Sequence, residues 1–326
     1  MEQERSEIPL AISIYCVSSS GLMLSNKLAI HDFPLECSLV WLQLAFSAFV
    51  LSTVGYPYIR VGSRKDLLRW SMVAPMYCAM LLTSMLALKS APMSLVIVIR
   101  NASPLGTLVL ERFYPEPLQV SGKMLMALIV MFVGAMMYMV DHRDKMNWAA
   151  IGWVVLNSII AVVDRLLQRL LLAKDQCPVD ISKTGITLIN NLWGVVVIGI
   201  AIMMKGELPA VPDAAKHLTW AGQANLVVTL VLGLTISYTS IWAQSLITAT
   251  SFLVMTNANK FVILAVEACG FNAGMTSVQV AGASLSIVGG LLYGQARQEM
   301  EQLELKGERS MLLPKTSKSS PALAGA

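Results

Sequence analysis

Apolar residues run along this chain in long blocks, separated by short polar and turn-forming segments. A helix needs about 20 apolar residues to cross about 30 Å of hydrocarbon. The sequence supplies ten such blocks, at 8–30, 38–58, 70–88, 92–110, 124–140, 148–172, 184–204, 223–247, 250–269 and 275–296. The breaks carry turn and charge signals: Tyr56-Pro57 before a basic run from Arg60 to Lys65, then Tyr114-Pro115-Glu116-Pro117, then Asp141-His142-Arg143-Asp144-Lys145. The first block is too long for a cleaved signal peptide and leads into Asn26-Lys27 rather than a small-residue cleavage site, so it is expected to remain as a helix.

Composition agrees with the blocks. Of 326 residues, 56% are hydrophobic and 13% charged, with a mean hydropathy of +0.64; a soluble domain carries about 25% charged residues. The fold class expected is an all-α polytopic membrane protein with ten transmembrane helices. Ten crossings place both termini on one side. The loops on that side carry fourteen Lys and Arg residues and the opposite loops five, so the positive-inside rule makes both termini cytosolic.

The two halves resemble each other. Met131-Phe132-Val133-Gly134-Ala135-Met136-Met137-Tyr138 matches Ser286-Ile287-Val288-Gly289-Gly290-Leu291-Leu292-Tyr293 at an offset of 155, which also lays the fourth block, with Arg100 and Asn101, over the ninth, with Thr256 to Lys260. An odd number of spans per half turns the second copy upside down and puts a binding site between the halves. The organisation expected is a five-plus-five inverted repeat: a first five-helix repeat over 1–145, a second over 146–297, and a flexible cytosolic tail over 298–326 that is polar and poor in aromatics.

Several chemistries are missing their signatures. There is no phosphate-loop motif, no H-E-x-x-H and no Cys-x-x-Cys, and the five cysteines are dispersed. His31, His142 and His217 fall in loops opposite the termini, without partners at ligand spacing. No catalytic residue, metal or cofactor is expected, and the chain is not read as an enzyme.

Polar residues inside the apolar blocks remain to be explained. A charge at the bilayer centre costs about 2.5–3.5 kcal/mol on insertion scales, so such residues usually mark a substrate path. Asn190-Asn191 stands in LINN, and Thr256-Asn257-Ala258-Asn259-Lys260 in a second apolar run. Lys27, Arg100, Arg165, Arg169 and Lys260 face only Asp164 and Glu267 as opposite charges, an excess that favours an anionic ligand, phosphate most readily. Arg165 and Arg169 lie one turn apart near one end of their span, and are expected to snorkel to the interface while one pairs with Asp164. Arg100 and Lys260 have apolar neighbours on both sides and are the stronger candidates for ligand contact. An Asn pair can match the donor and acceptor edge of a nucleobase or bond across to neighbouring helices; composition leaves both open.

These residues resemble a family. Tyr15-Cys16-Val17-Ser18-Ser19-Ser20 followed by Leu22-Met23-Leu24-Ser25-Asn26-Lys27 resembles the first helix of nucleotide-sugar transporters, in the drug/metabolite transporter superfamily. Leu188-Ile189-Asn190-Asn191 resembles the FYNN motif of GDP-mannose transporters, and Thr256 to Lys260 their GALNK motif. The segments from Ile236 to Trp242 and from Tyr293 to Arg297 also match.

The resemblance implies an antiporter that imports GDP-mannose or another GDP-sugar into the Golgi lumen in exchange for GMP. It implies that Asn190 and Asn191 recognise guanine, that Lys260 and Asn259 hold the diphosphate and ribose, that Tyr15 and Ser237 line the same pocket, and that Arg100-Asn101 takes the place of a Lys-Asn pair. Asn26 and Lys27 join the substrate-binding set through the first-helix match. Leu188 and Ile189 replace the motif's aromatic pair, Thr256 its first Gly, and Phe252 a Tyr four residues earlier, so the sugar is left open. Besides GDP-sugar and GMP, the partners expected are membrane lipid and a second copy in a homodimer, with no nucleic acid. A UDP-sugar or phosphorylated-metabolite antiporter of the same superfamily is one alternative. A membrane-embedded sugar transferase is another, which would need acidic or His clusters where only isolated Asp164 and Glu267 occur.

Overall fold

The computed structural model describes residues 2–90, 93–115, 119–139, 148–270 and 276–312. The break expected at Asp141 to Lys145, and Glu116-Pro117 of another, lie outside the described residues. Among the described residues the regular structure is helical apart from one isolated bridge between Val61 and Ile181. Its α-helices are α1 (Glu2–Asp32), α2 (Glu36–Thr53), α3 (Arg64–Ser90), α4 (Met93–Leu110), α5 (Gly122–Met139), α6 (Trp148–Leu172), α7 (Lys183–Lys205), the short α8 (Val211–Lys216), α9 (Trp220–Leu246), α10 (Ala249–Gly270) and α11 (Ser277–Leu312).

The ten long helices coincide with the ten apolar blocks. Among the described residues, segments of α1, α2, α5, α6, α7, α9 and α11 are long and apolar enough to cross a membrane, seven in all. The chain is a multi-pass helical membrane protein. The blocks at 70–88, 92–110 and 250–269 are helical as α3, α4 and α10 and are not among those seven. α11 stays helical to Leu312, past residue 298 where the tail was expected to begin. There Lys123 of α5 pairs with Glu299 at 2.6 Å, and residues 313–326 lie outside the described part.

Local chemistry sets the helix ends. Ser182 caps α7 by accepting from the Gly185 N–H, and Gly206 ends that helix in the left-handed region at φ +67°. Thr219 caps α9 through the Gly222 N–H. Two caps are long-range. Glu207, just past α7, accepts from the N–H groups of Cys37 and Ser38 and from the Ser38 hydroxyl, so it closes the start of α2. Glu111, just past α4, accepts from Ala249 N at 2.7 Å and Thr250 Oγ1 at 2.6 Å and closes the start of α10. A carboxylate at a helix N-terminus satisfies orphan donors and complements the helix dipole.

Packing follows the small residues. α5 and α11 meet backbone to backbone: a Cβ on Gly134 would stand 2.5 Å from Ser286 N, and one on Gly289 would stand 2.5 Å from Met131 N. Without a hydrophobic drive between helices in lipid, such close approach is what holds them together. α1 lies on α9, α3 on α6 and α2 on α7. The interior of the six-helix group α1, α2, α3, α6, α7 and α9 holds the cavity described next.

Candidate binding cavity

Asn190 and Asn191 are both buried on α7. The Trp70 indole of α3 donates to Asn190 Oδ1 at 3.0 Å. An indole N–H is only a donor, so it fixes which end of the Asn190 amide turns toward α3, and the amide nitrogen is left for the cavity. Asn191 has the complementary arrangement. Its Nδ2 donates to the Thr187 carbonyl at 2.7 Å, and its Oδ1 is buried without a hydrogen-bond partner. A buried acceptor left unpaired costs about 1–3 kcal/mol, so a ligand N–H delivered there would be strongly favoured.

Both residues line a cavity of about 300 Å³, at the lower end of the range for small-molecule sites. Its polar wall continues through Asn26 and Gln43, with Gln43 Nε2 donating to Asn26 Oδ1 at 2.7 Å, and through Ser237 and Ser240 of α9. Tyr15 and Tyr77 bring aromatic surface. The Tyr15 ring tilts against Phe252 with centroids 5.2 Å apart, and Phe252 itself is fully buried behind it.

Among the described lining residues one carries a positive charge. Arg165 reaches the cavity with its guanidinium 5.0 Å above the centre of the Phe252 ring and 3.8 Å from Asp164 Oδ2. Gln168, also in the wall, donates to Asp164 Oδ1 at 2.8 Å and accepts from Arg165 Nη1 at 3.3 Å. A pocket with aromatic sides, a fixed amide donor and acceptor, and one cation suits a base joined to a phosphate.

No protein-family model matches the chain. The GDP-mannose transporter GONST3 of Arabidopsis thaliana is 26% identical over 92% of this chain and 83% of its own length. The GDP-fucose transporter 1 of the same plant is 23% identical over 90% of this chain and 87% of its own. The GDP-mannose transporter of Kluyveromyces lactis is 20% identical, with 90% and 92% covered. Over about nine tenths of its length the chain is similar to these nucleotide-sugar transporters. A crystal structure with 12% identity superposes at a TM-score of 0.65 over 89% of this chain and 99% of that one, a likeness of fold alone.

The structure brings five of the residues expected from sequence to bind substrate into the cavity wall: Tyr15, Asn26, Asn190, Asn191 and Ser237. The others lie elsewhere. Arg100 donates to Ser84 Oγ at 2.7 Å and to Asn157 Oδ1 at 2.6 Å. Lys260 donates to Asn257 Oδ1 at 3.2 Å, and Asn257 in turn donates to the Arg100 carbonyl, tying α10 to α4. Asn259 accepts from Ser20 Oγ at 2.9 Å and joins α10 to α1. Thr256 bonds back to the Leu253 carbonyl of its own helix. Asn101 is buried with neither end of its amide paired. Lys27 belongs to α1, and its side chain is outside the described residues.

One expectation is corrected. Arg165 does not snorkel: its face of α6 turns inward, against Phe252 and the cavity, because Asp164 is fully buried one position earlier and holds the charge inside. Arg169 is also buried, with Asp175 at 3.1 Å and the carbonyls of Gln244 and Ser245 as acceptors. Gln43, Tyr77 and Gln168 were not picked out beforehand. Gln43 had a signal, as a lone amide within the apolar run from Leu39 to Phe46.

Proposed function

We propose that the transporter is an antiporter that brings a GDP-sugar, GDP-mannose among the candidates, into the Golgi lumen and returns GMP. The observation that carries this reading is the pair of oriented amides. Asn190 offers a donor and Asn191 an unpaired acceptor to one cavity. Guanine presents its O6 acceptor beside its N1–H and N2–H donors, which is the complementary order. Uracil carries a carbonyl beside an N–H as well, so competition between GMP and UMP is the measurement that decides the base. The relatives named as GDP-mannose and GDP-fucose transporters favour guanine.

The exchange follows from charge. A diphosphate brings negative charge into a site of reduced dielectric, where a cation binds it far better than in water. Lys260 feels the positive charges of both Arg100 and Arg165, so these three make a cationic side that an anion would relieve. With the site empty, that repulsion is offset only in part, by Asp164 beside Arg165, so reorientation is unfavourable, and a returning GMP restores the balance. In this reading Lys260, Asn259, Arg100 and Asn101 come to the diphosphate and ribose as the halves move.

The same reading takes all ten long helices as spans, arranged as an inverted repeat of residues 1–145 and 146–297 with cytosolic termini. The packing supports it. Exchanging the halves turns the α1–α9 contact into α6–α3, α4–α5 into α10–α11, and α2–α9 into α7–α3, and it leaves α2–α7, α5–α11 and α4–α10 as themselves; each of these pairs is in contact. A homodimer in the membrane completes the proposal.

The test is uptake of labelled GDP-mannose by purified protein in liposomes, with GDP-fucose and UDP-galactose alongside. Uptake that requires internal GMP is the expected result. Protein that is folded, inactive toward every GDP-sugar, and active in trading UDP-sugars or small phosphates would overturn the substrate assignment.

A further inference from the structure

The proposed function accounts for the base and counts Arg165 only as part of a general cationic side, although it is the one cation among the described residues lining the cavity. Its hydrogen-bond partners within the protein are weak. Nη2 points at the Met80 sulfur at 3.7 Å, a poor acceptor, and Nη1 at the neutral Gln168 amide at 3.3 Å. Asp164 Oδ2 stands 3.8 Å away and makes no hydrogen bond to anything. The guanidinium therefore has charge and geometry in place and strong acceptors missing.

Its setting favours a flat, two-pronged ligand contact. The Phe252 ring at 5.0 Å supports the guanidinium, and a guanidinium held over an aromatic ring keeps its N–H edge available for bidentate bonds to phosphate. Phe252 stands where the family motif has a Tyr; an aromatic ring without a hydroxyl offers Arg165 a face and no competing acceptor. Gln168 and Asp164 fix the other side of the group, so little side-chain freedom remains to be lost when a ligand arrives.

We propose that Arg165 is the anion-binding residue of the cavity and takes a phosphate of the nucleotide, with Asp164 as the counter-ion it is shared with when the site is empty. This rests on the nucleotide reading of the cavity and adds to it: the phosphate is held from α6, beside the base-reading amides of α7, rather than solely from the Lys260 side. A bound nucleotide draws the guanidinium from the sulfur and the Gln168 amide to phosphate oxygens.

The experiment is a binding comparison on purified protein in nanodiscs, measuring Kd for GMP, guanosine, UMP and uridine. Wild type is expected to hold GMP at least about tenfold more tightly than guanosine, as a charge-assisted bidentate contact implies. In Arg165→Gln that ratio is expected to fall to within about twofold while guanosine affinity is unchanged, which also shows that the variant is folded. Arg165→Lys keeps the charge beside Asp164 and carries the test if the Gln variant does not fold; a GMP-to-guanosine ratio reduced several-fold is expected for it. An unchanged ratio in the variants, an equal loss of both ligands, or a wild type that binds GMP no better than guanosine overturns the assignment. Equal binding of GMP and UMP would sink the base reading alone, and the UMP-to-uridine ratio then tests Arg165 in the same way.

Discussion

Ser286 donates its hydroxyl to the carbonyl of Met131 at 2.8 Å, and the two residues are 155 positions apart, the offset at which the string from Met131 to Tyr138 matches that from Ser286 to Tyr293. In the inverted-repeat arrangement proposed above, a bond between a residue and its own counterpart would lie at the axis relating the halves. Around it the glycine contacts are reciprocal: Gly134 approaches Ser286, and Gly289 approaches Met131.

The contact can be broken in graded steps. Ser286→Ala removes one interhelical hydrogen bond, about 0.6 kcal/mol in a membrane helix pair. Gly134→Val or Gly289→Val places a branched side chain where backbone already stands 2.5 Å from the Cβ position, and the helices must separate. The expected order in detergent thermostability is wild type close to Ser286→Ala, with both valine variants far below or lost from the monodisperse fraction. Valine variants as stable as Ser286→Ala would show that α5 and α11 are not in backbone contact.

Trp70 has no place in the cavity wall yet sets the amide of Asn190. Trp70→Phe keeps an aromatic ring in a fully buried position and removes the donor, so the Asn190 amide can turn over. Discrimination of GMP from UMP is expected to shrink by about fivefold to tenfold, the worth of roughly one hydrogen bond, with the GMP-to-guanosine ratio unchanged. Competition assays on the folded variant check this, and undiminished discrimination would remove Trp70 from base reading.

Much of this could be read from the sequence, because ten long apolar blocks leave a membrane chain few alternatives to helices. The Asn pair was also legible, since adjacent amides in an apolar run need partners wherever they point. Other roles depended on contacts across large distances in the chain. Arg100 finds Asn157, and Asn259 finds Ser20, so neither pairing leaves a local trace. Arg165 was misread because a cation near a helix end commonly reaches for the interface; Asp164 and Gln168 flanking it in α6 were the available sign that its environment is polar and inside.

Glu207 links stability to pH from outside the spans. Burial by itself would raise its carboxyl, but the N–H groups of Ser38 and Cys37, the Ser38 hydroxyl and the Lys205 charge outweigh it and hold the group below the ordinary glutamate range. A depressed acid contributes stability that is complete above its unfolded value, about 4.3, and is lost as pH falls through the lower folded value. Glu207→Gln is therefore expected to melt below wild type at neutral pH, with the gap narrowing as pH drops under about 4.3. A gap that stays constant from neutral to acid pH would mean that the charge of Glu207 does not cap α2.

In the exchange proposed above, Asp164 bears on how strictly the two directions are coupled. With the site empty, Arg165 keeps a carboxylate 3.8 Å away, so part of its charge is compensated without any ligand. Asp164→Asn preserves shape and the possibility of bonding Gln168, and it leaves the guanidinium alone in the interior. An isolated cation in the membrane costs about 2.5–3.5 kcal/mol on insertion scales, so an empty carrier would reorient less often and a loaded one would be affected little. In liposomes, the ratio of GDP-mannose uptake with internal GMP to uptake without it is expected to rise by about tenfold in Asp164→Asn, and GMP binding is expected to tighten because phosphate no longer competes with a carboxylate for Arg165. A variant with a lower ratio, or with weaker GMP binding at unchanged guanosine binding, would show that Asp164 positions Arg165 for the ligand rather than neutralising it between turns of the cycle.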